Sequence, residues 1–338
     1  MRWYALWWVM MNEAHSWSPL TQEPGSHKHR FQRQDMRRIT QTAFFALFLL
    51  APALDLLRFD LHETQLWFLG QRWTLGIDAL IQRQVTPLHA AVDLILRGFL
   101  PLLLIVGSFM AVAYRYGRVY CGWLCPHFTL VETLNGMMHR ALGRYSLWER
   151  SASHWPGRQP NRLWMLPLLV SCVVFGFLWA ITLLTYLLPP AEIWGHLIHQ
   201  QLTDNQQRFL LIGTLVFSLE FFLARHLFCR FGCAVGLFQS LAWMANPKGM
   251  VVSFDRDRAR ECRSCDPPRG SACDMACPMR LHPRNIKRMM FSCVQCGQCL
   301  SACEASQSSQ DRASTLTWTI GVDAVRETLR QRRSAGDH

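Results

Sequence analysis

Residues 163–188 read LWMLPLLVSCVVFGFLWAITLLTYLL, without one charged side chain. A helix rises 1.5 Å per residue, so about 20 apolar residues cross the hydrocarbon layer of a bilayer. This stretch is expected to span a membrane. Downstream, Phe209–Ala224 is a second such stretch, interrupted only by Glu220. Upstream lie Ala91–Tyr114, carrying Asp93 and Arg97 near one end, and the shorter Thr40–Leu57, with Asp55 near its end. About four transmembrane helices are expected. Val235–Ala245 is apolar but too short to cross, and reads as an interfacial helix.

The composition agrees. Half of the 338 residues are hydrophobic and 17% are charged, against roughly 25% charged in soluble domains. That apolar content excludes intrinsic disorder. The length, and the crowding of the 13 cysteines toward one end, exclude a small disulfide-stapled domain. The net charge of +12 is explained by where the basic residues fall. Lys28, Arg30, Arg33, Arg37 and Arg38 precede the first apolar stretch, and Arg115, Arg118, Arg140, Arg144, Arg150, Arg158 and Arg162 lie between the second and third. Arg58–Ala90 holds only Arg58, Arg72 and Arg83, and Pro189–Gln207 holds none. By the positive-inside rule both termini are expected in the cytoplasm of a cell whose inner membrane the chain spans. No nucleic-acid motif is present, and none is needed for the charge. Trp3–Met11 is a short apolar run without a small-residue cleavage site, so no cleaved signal is expected there, and Met11 is an alternative start.

Past Phe254 the sequence turns polar and rich in cysteine. Cys293, Cys296, Cys299 and Cys303 stand in CVQCGQCLSAC, the C-x2-C-x2-C-x3-C run of bacterial ferredoxins. Three closely spaced thiolates on a tight loop wrap one cubane, and the fourth points to its neighbour. On that logic Cys262, Cys265, Cys273 and Cys303 hold cluster one, and Cys293, Cys296, Cys299 and Cys277 hold cluster two. The insert DPPRGSA between Cys265 and Cys273 is turn-like and is expected to loop out. A reducing cytoplasm keeps such thiols free for metal. A pair of zinc sites is the alternative, although zinc sites seldom use this four-cysteine run.

A repeat lies at the ends of two apolar stretches: YCGWLC at Tyr120–Cys125 and FCRFGC at Phe228–Cys233, each followed by an apolar segment. The chain reads as two hairpins in parallel repeat. Cys121, Cys125, Cys229 and Cys233 are candidates for a redox or copper site. If helical, each pair shares one face; metal binding, a redox disulfide and cofactor contact all fit, and the alternative is that they are small buried hydrophobes. Cys172 reads as core. Glu220, costly inside a membrane, is either functional or the partner of a basic residue such as Arg97. Asp55, Asp93 and Arg97 are a candidate pairing group. His127 follows the first pair closely. Arg280, Arg284, Lys287 and Arg288 face either an acidic partner or lipid headgroups.

These residues together resemble the membrane-bound polyferredoxins of the FixG/CcoG, NapH and NosR type. The resemblance is carried by GRVYCGWLCP, FCRFGCAVGLFQS, MVVSFD at Met250–Asp255 and the eight-cysteine module, over roughly Arg33–Cys303. FQSLAWMANPKGMVVSFD and RFDLHETQLWFLG look most like the CcoG branch; Ala234 stands where the family usually has proline. The resemblance implies a membrane electron carrier with two [4Fe-4S] clusters. Its CcoG branch implies reduction of cupric to cuprous copper for cytochrome oxidase assembly, with the membrane cysteine pairs as the natural site. Its NapH branch implies passage of quinol electrons to a partner reductase. A structural assembly factor is a third reading.

The expectation is a mainly α chain. Residues 1–39 form a polar segment, 40–250 a transmembrane domain with two hairpin repeats, and 251–310 a cytoplasmic two-cluster ferredoxin domain. Residues 311–338 form a tail with a short helix near Val322–Arg332. The partners expected are the lipid bilayer and a membrane redox or oxidase-assembly complex. Copper or quinone is the expected redox partner.

Overall fold

A computed structural model describes residues 27–62, 65–82, 84–149, 160–265, 271–285 and 287–336. The apolar run Trp3–Met11, Arg150, Arg158 and most of the insert before Ser271 lie outside them. Among the described residues, runs of Leu, Val, Ile and Phe that cannot be solvated form three helices long and apolar enough to cross a membrane, Pro87–Tyr116 (α2), Arg162–Leu187 (α5) and Asp204–Ala224 (α6). On α2, Leu103, Ile105 and most of their neighbours are exposed, as a lipid-facing helix requires. The chain divides into two compact units. Phe45–Val112 with Val173–Leu219 make one; the preceding residues with Ala113–Cys172 and Glu220–His338 make the other.

The fourth expected span is not among these helices. His27–Leu50 is a helix (α1), but its first half is polar, and at Ala51 the chain turns. Leu57 already begins a strand.

In the unit containing Phe45–Val112, α5 and α6 pack through small residues. A Cβ on Gly176 would stand 2.5 Å from Ser218 Oγ and 2.9 Å from the Thr214 carbonyl oxygen. Such contacts replace the hydrophobic drive that lipid removes. Phe45 and Phe48 stack on Trp179, and Tyr186 donates to the Phe48 carbonyl at 2.9 Å. The stretch after α1, expected to be a loop, is an antiparallel meander of Leu57–Asp60 (β1), Gln65–Phe68 (β2) and Gln71–Trp73 (β3). Asp55 pairs with Arg58, which also bonds Asp60 at 2.6 Å and lies over the Trp67 ring. Asp93 pairs with Arg97 at 3.5 Å, so the expected single group is two separate pairs.

The other unit is built on Val119–Trp123 (α3), Pro126–Leu142 (α4), Ala234–Ala245 (α7), Gln298–Ser308 (α8) and Val322–Gly336 (α9). Most of α4 is buried, including Phe128, Leu130, Val131, Leu134 and Met138. Val251–Phe254 (β4) pairs antiparallel with Leu316–Thr319 (β5), Val252 opposite Trp318 and Phe254 opposite Leu316. This ladder was not expected. It encloses the whole eight-cysteine module between its strands in sequence.

Candidate iron–sulfur and redox sites

Cys277, Cys293, Cys296 and Cys299 line one small cavity of about 20 Å³, walled by Val252, Met279, Leu281, Met290 and Val294. Every pair among the four thiols lies within electrostatic reach. The loop that carries three of them winds tightly, with left-handed backbone at Gln295 (φ 53°) and Gly297 (φ 72°). Gly297 then caps α8. Backbone N–H groups point at the sulfurs; Leu281 donates to Cys277 Sγ at 3.4 Å. Burial pushes the Cys277 thiol up to about 12, so metal must displace a tightly held proton there. The structure thus gathers the four residues expected for cluster two.

The other four gather differently. Cys262, Cys273 and Cys303 share a buried group with Val252, Phe254, Leu300 and Leu316. Besides these apolar neighbours, hydroxyls and an amide meet their sulfurs. Thr315 Oγ1 lies 3.3 Å from Cys303 Sγ and 3.8 Å from Cys262 Sγ. Cys265 Sγ accepts from Ser306 Oγ at 2.9 Å and Gln307 Nε2 at 3.3 Å, and Ser271 Oγ lies 3.3 Å from Cys273 Sγ. Burial pushes the Cys273 thiol up to about 11. None of these four partners stood out in the sequence; Ser306 and Gln307 lie on the helix that carries Cys303.

Cys121, Cys125, Cys229 and Cys233 also converge. All six pairs among them lie within electrostatic reach. They do not share helix faces as i, i+4 pairs, because the helix ends before the second cysteine of each repeat. Cys125 caps α4 with extended backbone (φ −60°, ψ 117°), as a residue before proline must. Cys233 caps α7 in nearly the same way (φ −79°, ψ 109°), although Ala234 follows it, and its sulfur accepts from the Gly236 N–H at 3.5 Å. Cys229 lies in a π-helical turn, Phe228–Gly232. Cys172, read as core, is buried in α5.

One buried group holds Cys121, Cys229, Cys296, Val294 and Trp243, with Cys125, Cys277 and Cys293 packed against it. The two loops touch through backbone: a Cβ on Gly122 would stand 2.2 Å from the Val294 carbonyl oxygen and 3.3 Å from the Cys296 nitrogen. Trp123 Nε1 donates to the Gln295 carbonyl at 3.0 Å. From α1, Gln34 donates to the Cys296 carbonyl at 3.2 Å and Arg37 to the Gly122 carbonyl at 2.7 Å. Arg37 also pairs with the buried Glu132 at 2.5 Å.

Arg37 and Arg118 are thus buried, not the membrane-flanking surface charges they were expected to be. In the basic run between the cysteine groups Arg288 is exposed, but the other three are engaged within the protein. Arg280 pairs with Glu149 at 2.5 Å and Arg284 with Asp274 at 3.0 Å. Lys287 donates to the Trp243 and Asn246 carbonyls at 3.0 and 2.6 Å. Glu220 meets His127 at 3.4 Å rather than Arg97, and His127 stacks on Phe221.

A family described as a 4Fe-4S binding domain matches residues 99–145, the segment holding Cys121 and Cys125. The chain is 23% identical over 257 residues to the putative electron transport protein YccM of Escherichia coli, covering 73% of this chain and 61% of that protein. It is 26% identical over 221 residues to the regulatory protein NosR of Pseudomonas aeruginosa, covering 64% of this chain and 27% of that protein. It is 24% identical over 199 residues to the uncharacterized protein MJ0749 of Methanocaldococcus jannaschii, covering 58% and 65%. The chain spans less than two thirds of the length of each of these relatives. No solved structure matches. Taken with the apolar helices and the grouped thiols, these similarities support, for this chain, a likeness to the membrane polyferredoxins of the NosR/NapH type.

Proposed function

We propose that the chain carries single electrons between a donor at its eight-cysteine module and an acceptor at Cys121, Cys125, Cys229 and Cys233. Two [4Fe-4S] clusters would supply the one-electron chemistry, held by Cys262, Cys265, Cys273 and Cys303 and by Cys277, Cys293, Cys296 and Cys299. The protein's part is to exclude water, fix the sulfurs and aim N–H and O–H groups at them. The observation that carries this reading is the single buried group shared by Cys277, Cys293 and Cys296 of the second set with Cys121, Cys125 and Cys229 of the membrane pairs. The basic residues between α2 and α5 assign the module to the cytoplasmic side of an inner membrane. A redox or oxidase-assembly complex in that membrane is the partner.

The narrower reading makes cupric ion the acceptor, reduced to cuprous at four soft thiols. It is favoured by the two repeated cysteine pairs converging on one place. The alternative is a conduit between a quinol and a partner reductase.

The experiment uses anaerobically purified, pre-reduced protein in detergent. Reoxidation is followed with cupric ion and, separately, with a quinone, trapping cuprous product. A Cys121→Ser, Cys125→Ser double variant with an intact module is run beside it. Copper reduction lost in the double variant supports the copper reading. Reoxidation by quinone alone, or copper reduction indifferent to those thiols, moves the assignment to the conduit. Reoxidation by neither acceptor overturns the relay.

A further inference from the structure

The family match covers only Cys121 and Cys125. Two thiolates do not complete a cubane, which takes four. The structure supplies the other two, Cys229 and Cys233, from the second hairpin. We propose that Cys121, Cys125, Cys229 and Cys233 bind a third iron–sulfur cluster, distinct from the two of the eight-cysteine module. The inference rests on the relay reading in that it specifies what occupies the relay's membrane end.

Four observations point there. First, the thiols converge from two hairpins, each within reach of the other three. A set of four sulfurs selects iron–sulfur or zinc chemistry, or cuprous ion at fewer ligands. Second, Cys121 and Cys229 are buried and Cys125 packs against the same apolar group, so water is kept from these thiols.

Third, the surroundings are positive. Arg118 is 1% exposed. Its Nη2 donates to the Cys229 carbonyl at 2.7 Å, its guanidinium reaches the Cys121 thiol, and its Nε has no partner. A carbonyl and a thiol do not neutralise a guanidinium, and an uncompensated buried charge costs several kcal/mol. The fold nevertheless makes room for it: a Cβ on Gly236 would stand 2.1 Å from Arg118 Nη2. Fourth, Cys125 and Cys233 cap the N-termini of α4 and α7, where the helix dipoles favour negative charge. Four thiolates around an iron–sulfur core leave a net negative charge, which the Arg118 guanidinium beside Cys121 would offset; Arg118 also lies within electrostatic reach of Cys293.

The test is metal content, read without any assay of activity. The full chain is purified anaerobically in detergent, and iron, acid-labile sulfide, zinc and copper are counted per chain. The proposal expects roughly 12 iron atoms for three cubanes, or roughly 10 if the third is a two-iron cluster. Cys121→Ser with Cys229→Ser should return the count to roughly 8, while Cys172→Ser, at a buried cysteine outside the quartet, keeps the full count. A wild-type count of roughly 8 iron, or zinc or copper bound in proportion to the quartet thiols, overturns the proposal while leaving the relay standing. So does a double variant that keeps every iron. If the double variant fails to fold, the wild-type count decides alone.

Discussion

Gly122 and Val294 are in backbone contact: the space a Cβ would need on Gly122 is already held by the Val294 carbonyl oxygen, 2.2 Å away. Neither side is the free end of a flexible side chain. The contact joins the loop of Cys121 to the loop of Cys293 and Cys296, so the two thiol groups are fixed to each other by main chain. Gly122→Ala should force these loops apart. Overpacking of this kind costs about 1–3 kcal/mol. Thermal unfolding in detergent should show the loss, and reoxidation through Cys121 and Cys125 should slow more than cluster content falls. Unchanged reoxidation would mean that electrons do not take this path.

Arg37→Met should be among the most damaging single changes outside the cysteines. It removes the Glu132 carboxylate's charged hydrogen-bond partner and leaves Gln41 and Gln298 among its neighbours. Removing one partner of a buried pair costs about 3–5 kcal/mol. Arg37→Met with Glu132→Leu should recover much of that loss by leaving no charge behind, and chemical denaturation of the three variants measures the difference.

Thr315→Val keeps side-chain volume but removes the hydroxyl beside Cys262 and Cys303. Hydrogen bonds to cluster sulfurs raise reduction potentials. A bond worth about 1 kcal/mol corresponds to a fall of roughly 40 mV for one electron. A spectroscopically monitored redox titration should show one centre moving and the others holding still. Equal shifts in all would disprove the grouping.

Lys287 gives a pH dependence of stability. Burial draws its ammonium down from the usual range to about 8, while the Trp243 ring and two carbonyls hold it from the other side. Between about 8 and 10.5 the unfolded chain binds a proton that the folded chain does not, so folding stability should rise with pH across that window. Below about 8 both states are protonated and the burial cost is fully present. Lys287→Met should abolish the slope; a slope that persists in the variant would assign it elsewhere.

Much of this was legible in the sequence. Cysteine spacing suggested a crossing of Cys277 to the later run, and Cys277 does line one cavity with Cys293, Cys296 and Cys299, because ligand geometry constrains sequence directly. Apolar length anticipated α2, α5 and α6. The failures share one cause. Charge counting treats every arginine as solvated, yet Arg37 and Arg118 are buried by partners nearly a hundred residues away or farther. Hydropathy alone extended the first apolar stretch to Leu57, although the helix stops at Leu50 and the meander follows. The hydroxyls at Thr315, Ser306 and Ser271 carry no spacing signature, and only folding brings them to sulfur.

The β4–β5 ladder closes a loop of chain containing all eight module thiols. Ladder and metal are therefore linked thermodynamically: whatever binds the enclosed thiols tightens the strand pair, and whatever opens the strands weakens the metal. Thr315 lies one residue before β5 and touches two sulfurs, so the closing strand and the metal pocket share a neighbour. Amide hydrogen exchange at Val252 and Thr317 should then report iron occupancy. Protection there should rise as the chain loads and collapse on chelation before the membrane helices respond. The ladder would make the chain its own gauge of maturation, with an open clasp marking unloaded protein.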